Sequence, residues 1–578
     1  MSFAKAFQKV FKEQGQNIEV PEIIETDPQL VPHMYRAQVK PRCSLQFAGD
    51  GIHRNKWIEQ LVNPREDGQP TYQYAEVQDV LEKGYFCRFK VQFPYRLFSN
   101  CGQDSIFRPM LGKNGVPFIP GSGVKGVFLR YCNNNKSDRA LAIRYCGDKE
   151  PLTQGILRFH GAYPVGDWAG TISRKDETTY YRLVDVVHPQ ENRQIGIDEK
   201  STSALALISF YQPKLVFEIS SVELLSQEEW KNISGKLKSA LRQGLGGKTS
   251  TGYGLPFITK DQYNINLSLH GVGITPVLLA GEREFRPPEF RPNIFKATLR
   301  SHAKRLLGGC CQNQQDDKRV ESKIGELFGN TQAPGKVEIY WELRNPSPQT
   351  DWQSTYDIRG NLHISTPDTD VEFLKCLIKF AYTMGGFGKS WRRVWHKDFY
   401  HQNPRYEKLI GCHWECHDSG WKHEISEWIN DIKTPQQLGE FLNNLENVCK
   451  NYFQVREPQF LTWREAWHKK RVAVYSKIVS QSQVIELFHN EIYKQTHAIG
   501  GRKTISKNGK EEEVLVISSV WHRMLPIGNN QYLEIITVFH GDRNKWEHLE
   551  RGNQLQPFIK SLKMKGLQLA WGQEPQEN

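Results

Sequence analysis

No apolar run in this 578-residue chain approaches the roughly 20 residues a helix needs to cross a bilayer, so no membrane role is expected. The 11 cysteines follow no regular framework, and the opening "MSFAKAFQKVFKEQG" lacks the apolar core of a secretion signal. Both features lead to the expectation of a reducing, cytoplasmic setting. An acidic excess is also missing. There are 76 Lys+Arg against 64 Asp+Glu, a net charge of +12, which suits a polyanionic partner and equally an ordinary basic protein. A nucleotide-binding P-loop is lacking too. The stretch "GLGGKTSTGYG" (Gly244–Gly254) contains Gly-Lys-Thr but not the motif's first glycine, and it follows a helical pattern where a P-loop must follow a strand.

The sequence does contain a long-period repetition of pattern. "YFCRFKVQFPYRLF" alternates as a strand, "IPGSGVKGVFLRYC" reads as a glycine turn opening a helix, and "GILRFHGAYP" and "QPKLVFEIS" read as strands. The helical "EEWKNISGKLKSALRQ" and the glycine loop follow, then "YGLPFITK" as a strand. The order strand, helix, strand, strand, helix, strand is that of a ferredoxin-like fold. The pattern recurs from "YNINLSLHGVGITPVLL" to "GGFGKSWRRVW". The expectation is therefore an α+β chain of two tandem ferredoxin-like (RRM-like) domains, residues 1–265 with an N-terminal extension and 266–578, the second carrying an insertion of unread fold at about 396–480.

The stretch "VPFIPGSGVKGVFLR" (Val116–Arg130), paired with "GLGGKTSTGYG", resembles the two signatures of the RAMP superfamily, the repeat-associated proteins of type III CRISPR effector complexes. "GILRFHGAYP" and "LVDVVHPQ" are similar to the sixth subunit type of the Cmr (III-B) complexes. "ITPVLLAGEREFRPPEFRPNIFKATLRSHAKRLLGG" and "GGFGKSWRRVW" are similar to the first subunit type. The usual Trp pair after "LR" is replaced here by Ser301-His302. A fusion of two backbone subunits and a multi-RAMP subunit of a variant type III system both fit. The resemblance implies an RNA-binding backbone or capping subunit in antiviral defence, holding the 3′ side of a CRISPR RNA and contacting target RNA. Its implied partners are a Cas10-type large subunit, backbone RAMP subunits and small helical subunits. No cofactor is required on this reading.

Several residues carry these expectations. In the first motif Ser122 is expected to cap the helix, and Lys125 and Arg130 to line an RNA groove. In the glycine loop, Arg242, Gly244, Gly246, Gly247, Lys248, Thr249 and Ser250 are expected to cradle phosphate with exposed amides and cationic side chains. In the second half the basic series Arg286, Arg291, Lys296, Arg300, Lys304 and Arg305 has helix-compatible spacing. Gly386, Gly388, Lys389, Arg392 and Arg393, with Trp391, mix turn, cation and stacking aromatic, which suits single-stranded RNA. A solvated basic face is the plainer reading of such charge runs.

The rival reading is an endoribonuclease. In RNA-cutting members of the family an aspartate in the loop before the glycine turn works with a divalent ion; Asp104 occupies that place here and would need Mg or Mn. His160, His188 and His302 are available for acid–base work, but nothing in the sequence sets another catalytic group beside them. "CHWECHDSGWKH" offers Cys412, His413, Cys416, His417 and His423 as zinc donors, without the second arm that zinc spacing requires, so no metal site is expected.

Overall fold

The computed structural model describes residues 81–576 apart from 100–108, 112–116, 135–137, 149, 151, 171, 174–178, 181, 183, 188–190, 198–204, 257–262, 276–288, 331–332, 334, 346–354, 389, 401–408 and 508–509. The chain is α+β, built on antiparallel sheets.

The first sheet joins β1 (Leu81–Gln92), β2 (Leu157–Val165) and β3 (Lys214–Leu225) in the order β1-β3-β2, with helices α1 (Gly121–Asn134) and α2 (Gln227–Leu241). Helix α2 starts where Ser226 accepts a hydrogen bond from the Glu229 amide at 3.2 Å, a normal N-cap. Its Trp230, Ile233, Leu237 and Leu241 recur at helical spacing and are buried. They join Phe89, Phe217 and Phe128 in one core.

The second sheet consists of β4 (Ile265–Ile274), β5 (Glu338–Asn345), β6 (Thr355–Ser365) and β7 (Cys412–His417), in the order β5-β6-β4-β7. Its helices are α3 (Asn293–Gly309) and α4 (Asp368–Met384). Helix α5 (Pro435–Phe453) leads to a third sheet, β8 (Val472–Val479), β9 (Val520–Gly528), β10 (Gln531–Phe539) and, after α6 (Leu555–Met564), β11 (Gln568–Gly572). Its order is β9-β10-β8-β11. Numbered within each sheet, both read 2-3-1-4, the ferredoxin-like order, and the first sheet reads 1-3-2.

The α+β expectation therefore holds, with two corrections. The stretch 396–480 is no appendage: it supplies the edge strand β7, the linking helix α5 and the first strand of the third sheet. The expected strand "YGLPFITK" is turn and irregular chain as far as Pro256, and its remainder lies outside the described residues.

The units are fastened by buried charge. The Glu465 carboxylate, fully buried, accepts from Arg305 at 2.6 and 2.8 Å, from Arg392 at 2.6 and 3.1 Å, and from Arg464 at 3.0 Å. Burial opposes its ionisation, but Arg392, Arg305 and Arg464 outweigh that and hold its carboxyl down at about 2. The same region touches the first unit: the Glu465 amide donates to Ile195 O at 3.0 Å, and Arg392 donates to Gln194 O at 3.3 Å.

A Glu465→Gln substitution should leave three guanidiniums without their counter-charge and cost about 3–5 kcal/mol. Because the folded-state carboxyl lies below its ordinary value of 4.5, this stabilisation is present above that pH and fades as pH falls through about 2. Thermal unfolding of both proteins across that window should show the gap between wild type and Glu465→Gln closing with acid. A gap independent of pH counts against the ionised-hub account.

Candidate nucleic-acid interface

The IPGSG turn is welded to the first sheet. Ile119 and Ala162 exchange backbone hydrogen bonds at 2.8 and 2.9 Å. A Cβ on Gly121 would fall 1.8 Å from Phe159 O, and one on Gly161, at φ +109°, 2.4 Å from Ile119 O. Both glycines are therefore demanded by close backbone approach within the chain itself. Ser122 is the second residue of α1, so it does not cap the helix. The amides of Gly123 and Val124 return to Pro120 O. Lys125 is half-buried and donates to Cys146 O at 2.8 Å.

Ser122, Gly126 and Arg130, spaced four apart on α1, are exposed, as are Gly123, Asn133 and Asn134. Gly126, unlike Gly121, is not demanded by close backbone approach. A Cβ there would meet nothing within 4 Å, and its φ is not positive. A glycine inside a helix costs roughly 0.5–1 kcal/mol relative to alanine, and no contact among the described residues offsets that cost.

The glycine loop is a joint between units rather than a cradle of free amides. The amides of Gly244, Leu245, Gly247, Gly252 and Gly254 all bond to backbone carbonyls, Gly247 to Phe98 O at 2.6 Å and Gly254 to Arg96 O at 3.0 Å. Gly246, at φ +81°, would put a Cβ 2.2 Å from Phe98 O. Lys248 lies in the left-handed region at φ +59° and pairs with the buried Asp185 at 3.4 Å. Burial lowers the Lys248 pKa, against the pull of Asp185. Arg291 pairs with the same carboxylate. Arg96 holds Glu289 through two hydrogen bonds of 2.8 and 2.5 Å, both residues buried. Ser250 accepts from Lys296 of α3, whose pKa burial and then Arg300 bring down to about 8. Thr249 lies in the same short turn, half-buried, and Arg242 ends α2, also half-buried.

The second-half candidates are largely interior. Arg300 pairs with Glu191 at 2.9 Å, Lys304 donates to Asn192 at 2.8 Å, and Arg305 belongs to the Glu465 cluster. Arg392 and Arg393 are withdrawn from solvent. Arg392 binds Glu465, Arg393 donates to Val520 O at 2.7 Å, and burial lowers their pKa values to about 10 and 9. Gly386 lies against Trp414 and Gly388 against the Tyr356 hydroxyl. Trp391 is 8% exposed and no stacking platform for a base. These residues were expected on an RNA face; the acids that neutralise them lie far away in sequence, which is why a reading of local spacing places them outside. Asp104, Arg286, Lys389 and His188 lie outside the described residues.

The histidines divide in the same way. His160 faces Ser220 Oγ at 2.7 Å. His302 is fully buried among Phe380, Trp391 and Trp521. Burial first, then Arg305 and Arg392, keep it neutral, well below the ordinary range. A group so enclosed cannot reach a substrate. The Cys/His donors of "CHWECH" do not converge as a set, since alternation along β7 buries Cys412 and Cys416 and leaves His417 exposed.

Comparison with known proteins agrees with the family signatures. Residues 109–257 match the RAMP superfamily model. No curated protein matches closely enough to count as a relative. Among solved structures, the chain is similar to a component of the type III-B Cmr-beta complex bound to cognate target RNA, at 18% identity and TM-score 0.23. That match covers 31% of this chain and 60% of the other, so this chain spans less than two thirds of that component's length. It is also similar to apo Cmr1 from Pyrococcus furiosus, at 13% identity and TM-score 0.33, over 53% of this chain and 98% of that one. No helix among the described residues is long and apolar enough to cross a membrane.

The open space at Gly126 generates a direct test. Gly126→Ala should raise stability by about 0.5–1 kcal/mol, since the new methyl meets nothing and helix propensity improves. Denaturant unfolding checks this. A destabilised Gly126→Ala would mean that the chain itself requires the glycine.

Proposed function

We propose that this chain is an RNA-binding backbone or capping subunit of a type III CRISPR effector complex. On this reading it holds the 3′ side of a CRISPR RNA and contacts target RNA, beside a Cas10-type large subunit, backbone RAMP subunits and small helical subunits. The observation that carries the proposal is the exposed stripe Ser122, Gly126, Arg130 on α1, inside the RAMP-matched segment. It combines a hydroxyl, a bare stretch of backbone and a cation, and no close approach among the described residues demands its glycine. A sugar-phosphate backbone approaching α1 closely would use all three. Such contacts position a strand without reading its sequence. Sequence specificity would then reside in guide–target pairing.

The scaffold reading is favoured over acid–base catalysis by His302 because that ring is sealed in the core. Cleavage through Asp104 with Mg or Mn is the alternative, and the test below includes it.

The full chain should bind labelled single-stranded RNA with little sequence preference. About three to six phosphate contacts would weaken affinity roughly tenfold to several-hundredfold between 50 and 200 mM salt. Arg130→Ala should lower the log–log salt slope by about 0.7, one contact. Gly126→Ala should weaken binding while stabilising the fold. A flat salt titration, or RNA binding unchanged in both variants, would remove α1 from the interface. Loss of one specific RNA cut in an Asp104→Ala assembly, with RNA binding intact, would replace the scaffold reading with a nuclease.

A further inference from the structure

The second sheet has one face packed on helices and one face turned outward. On the outward face, β4 and β7 bring together His270, Glu415 and His417. Register pairs His270 with Glu415 and Ser268 with His417 across the two strands. One donor atom from each of the three lies within 4.8 Å of the others. His270 Nδ1 is 4.0 Å and His417 Nε2 3.8 Å from the same Glu415 oxygen, Oε2. The two imidazole rings face each other, with centroids 6.4 Å apart and planes 27° from parallel.

These gaps are too wide for hydrogen bonds. They approximate the span of two metal–donor bonds of about 2.0–2.2 Å meeting at a wide angle. A tetrahedral ion would need the donors to close by about half an ångström, which the half-exposed His417 side chain permits.

The surrounding hydrogen bonds set up each donor. His270 Nε2 lies 2.8 Å from Asp357 Oδ1 on β6. The carboxylate can only accept there, so it favours the proton on Nε2 and leaves the Nδ1 lone pair facing Glu415. On the other side, Arg523 Nη1 approaches His413 Nδ1 at 3.1 Å. Arginine has no acceptor, so His413 Nδ1 accepts and its Nε2–H donates to Glu415 Oε1 at 3.3 Å. Oε1 is thus engaged, and Oε2 is directed at two imidazole nitrogens. The His270 Nδ1 acceptor therefore faces the Oε2 acceptor, with His417 Nε2 beside them, an arrangement that a cation resolves.

We propose that His270, Glu415 and His417 form a binding site for a divalent transition ion of the Zn2+ class, held on the open face of the second sheet. Two imidazoles and one carboxylate suit such an ion, and the remaining positions face solvent, open to water or to a ligand from a partner. Asp357 and His413 are positioning residues that fix the rotation of the His270 ring and of the Glu415 carboxylate. The cysteines of the same strand take no part.

The test uses the full-length chain, stripped with chelator and titrated with Zn2+ by calorimetry and with Co2+ by absorption. One equivalent should bind at micromolar affinity or tighter, with cobalt ligand-field bands and no thiolate charge-transfer band. His417→Ala and Glu415→Gln should each weaken binding at least tenfold, and Asp357→Asn about tenfold. Far-UV circular dichroism should be unchanged, because these side chains lie on the sheet's outward face. No stoichiometric binding by wild type would overturn the proposal. So would undiminished binding by His417→Ala and Glu415→Gln, or a thiolate band that moved the ion to the cysteines.

Discussion

A single buried carboxylate with three guanidiniums around it sets the terms for the rest of this molecule. Glu465 cannot neutralise Arg305, Arg392 and Arg464 by itself, since one negative charge faces three positive ones. The surplus is spread over carbonyl oxygens and ring faces. Arg305 donates to Ser301 O at 3.0 Å and Arg392 to Ser518 O at 2.8 Å. Both guanidiniums lie 5.1–5.9 Å from the ring centroids of Trp391 and Trp521. A desolvated cation–π contact contributes about 2 kcal/mol, less than the cost of stranding a buried charge. The rings therefore assist the cluster, and the carboxylate remains indispensable. Its acceptor geometry ties α3 of the second unit, the turn at Arg392 and the segment leading into the third sheet to one point, with the first unit's Gln194 and Ile195 beside it.

This constraint determines which cations can act outside the chain. Those of the second half face inward because the acids that balance them lie in other units, as with Arg300 and Glu191 or Arg291 and Asp185. The same logic separates the glycines. Gly121, Gly161 and Gly246 are required by backbone carbonyls within 2.4 Å of where a Cβ would stand, so they explain folding. Gly126 has no such neighbour among the described residues, so close backbone approach does not demand it. One motif thus contains both kinds of glycine, five residues apart.

The sequence made the ferredoxin-like pattern legible where the signals are local. Strand alternation in "YFCRFKVQF" and the helical stretch of α2 depend on residues within one or two turns of each other. The third sheet was hidden because its four strands are separated by short helices, a hairpin and α6, and its first strand lies inside what reads as an insertion. The charge clusters were illegible for a related reason: Arg305 and Glu465 are 160 residues apart, and no spacing rule reaches that far. The face of β7 was readable in principle. In "CHWECH" a period of two sets Cys412, Trp414 and Cys416 against His413, Glu415 and His417, which divides the apparent zinc cluster before any coordinates are known.

The two themes meet at Arg523. It is fully buried on β9, yet it donates to Trp414 O and approaches His413 on β7, so the third sheet grips the edge strand of the second from behind. The outward Glu415 is oriented through this buried link, because His413 can donate to it only while Arg523 fixes the other ring nitrogen. An interface between sheets therefore sets the geometry of a surface cluster. The rigidity that withdraws so many cations from solvent also holds His270, Glu415 and His417 within a few ångströms of one another.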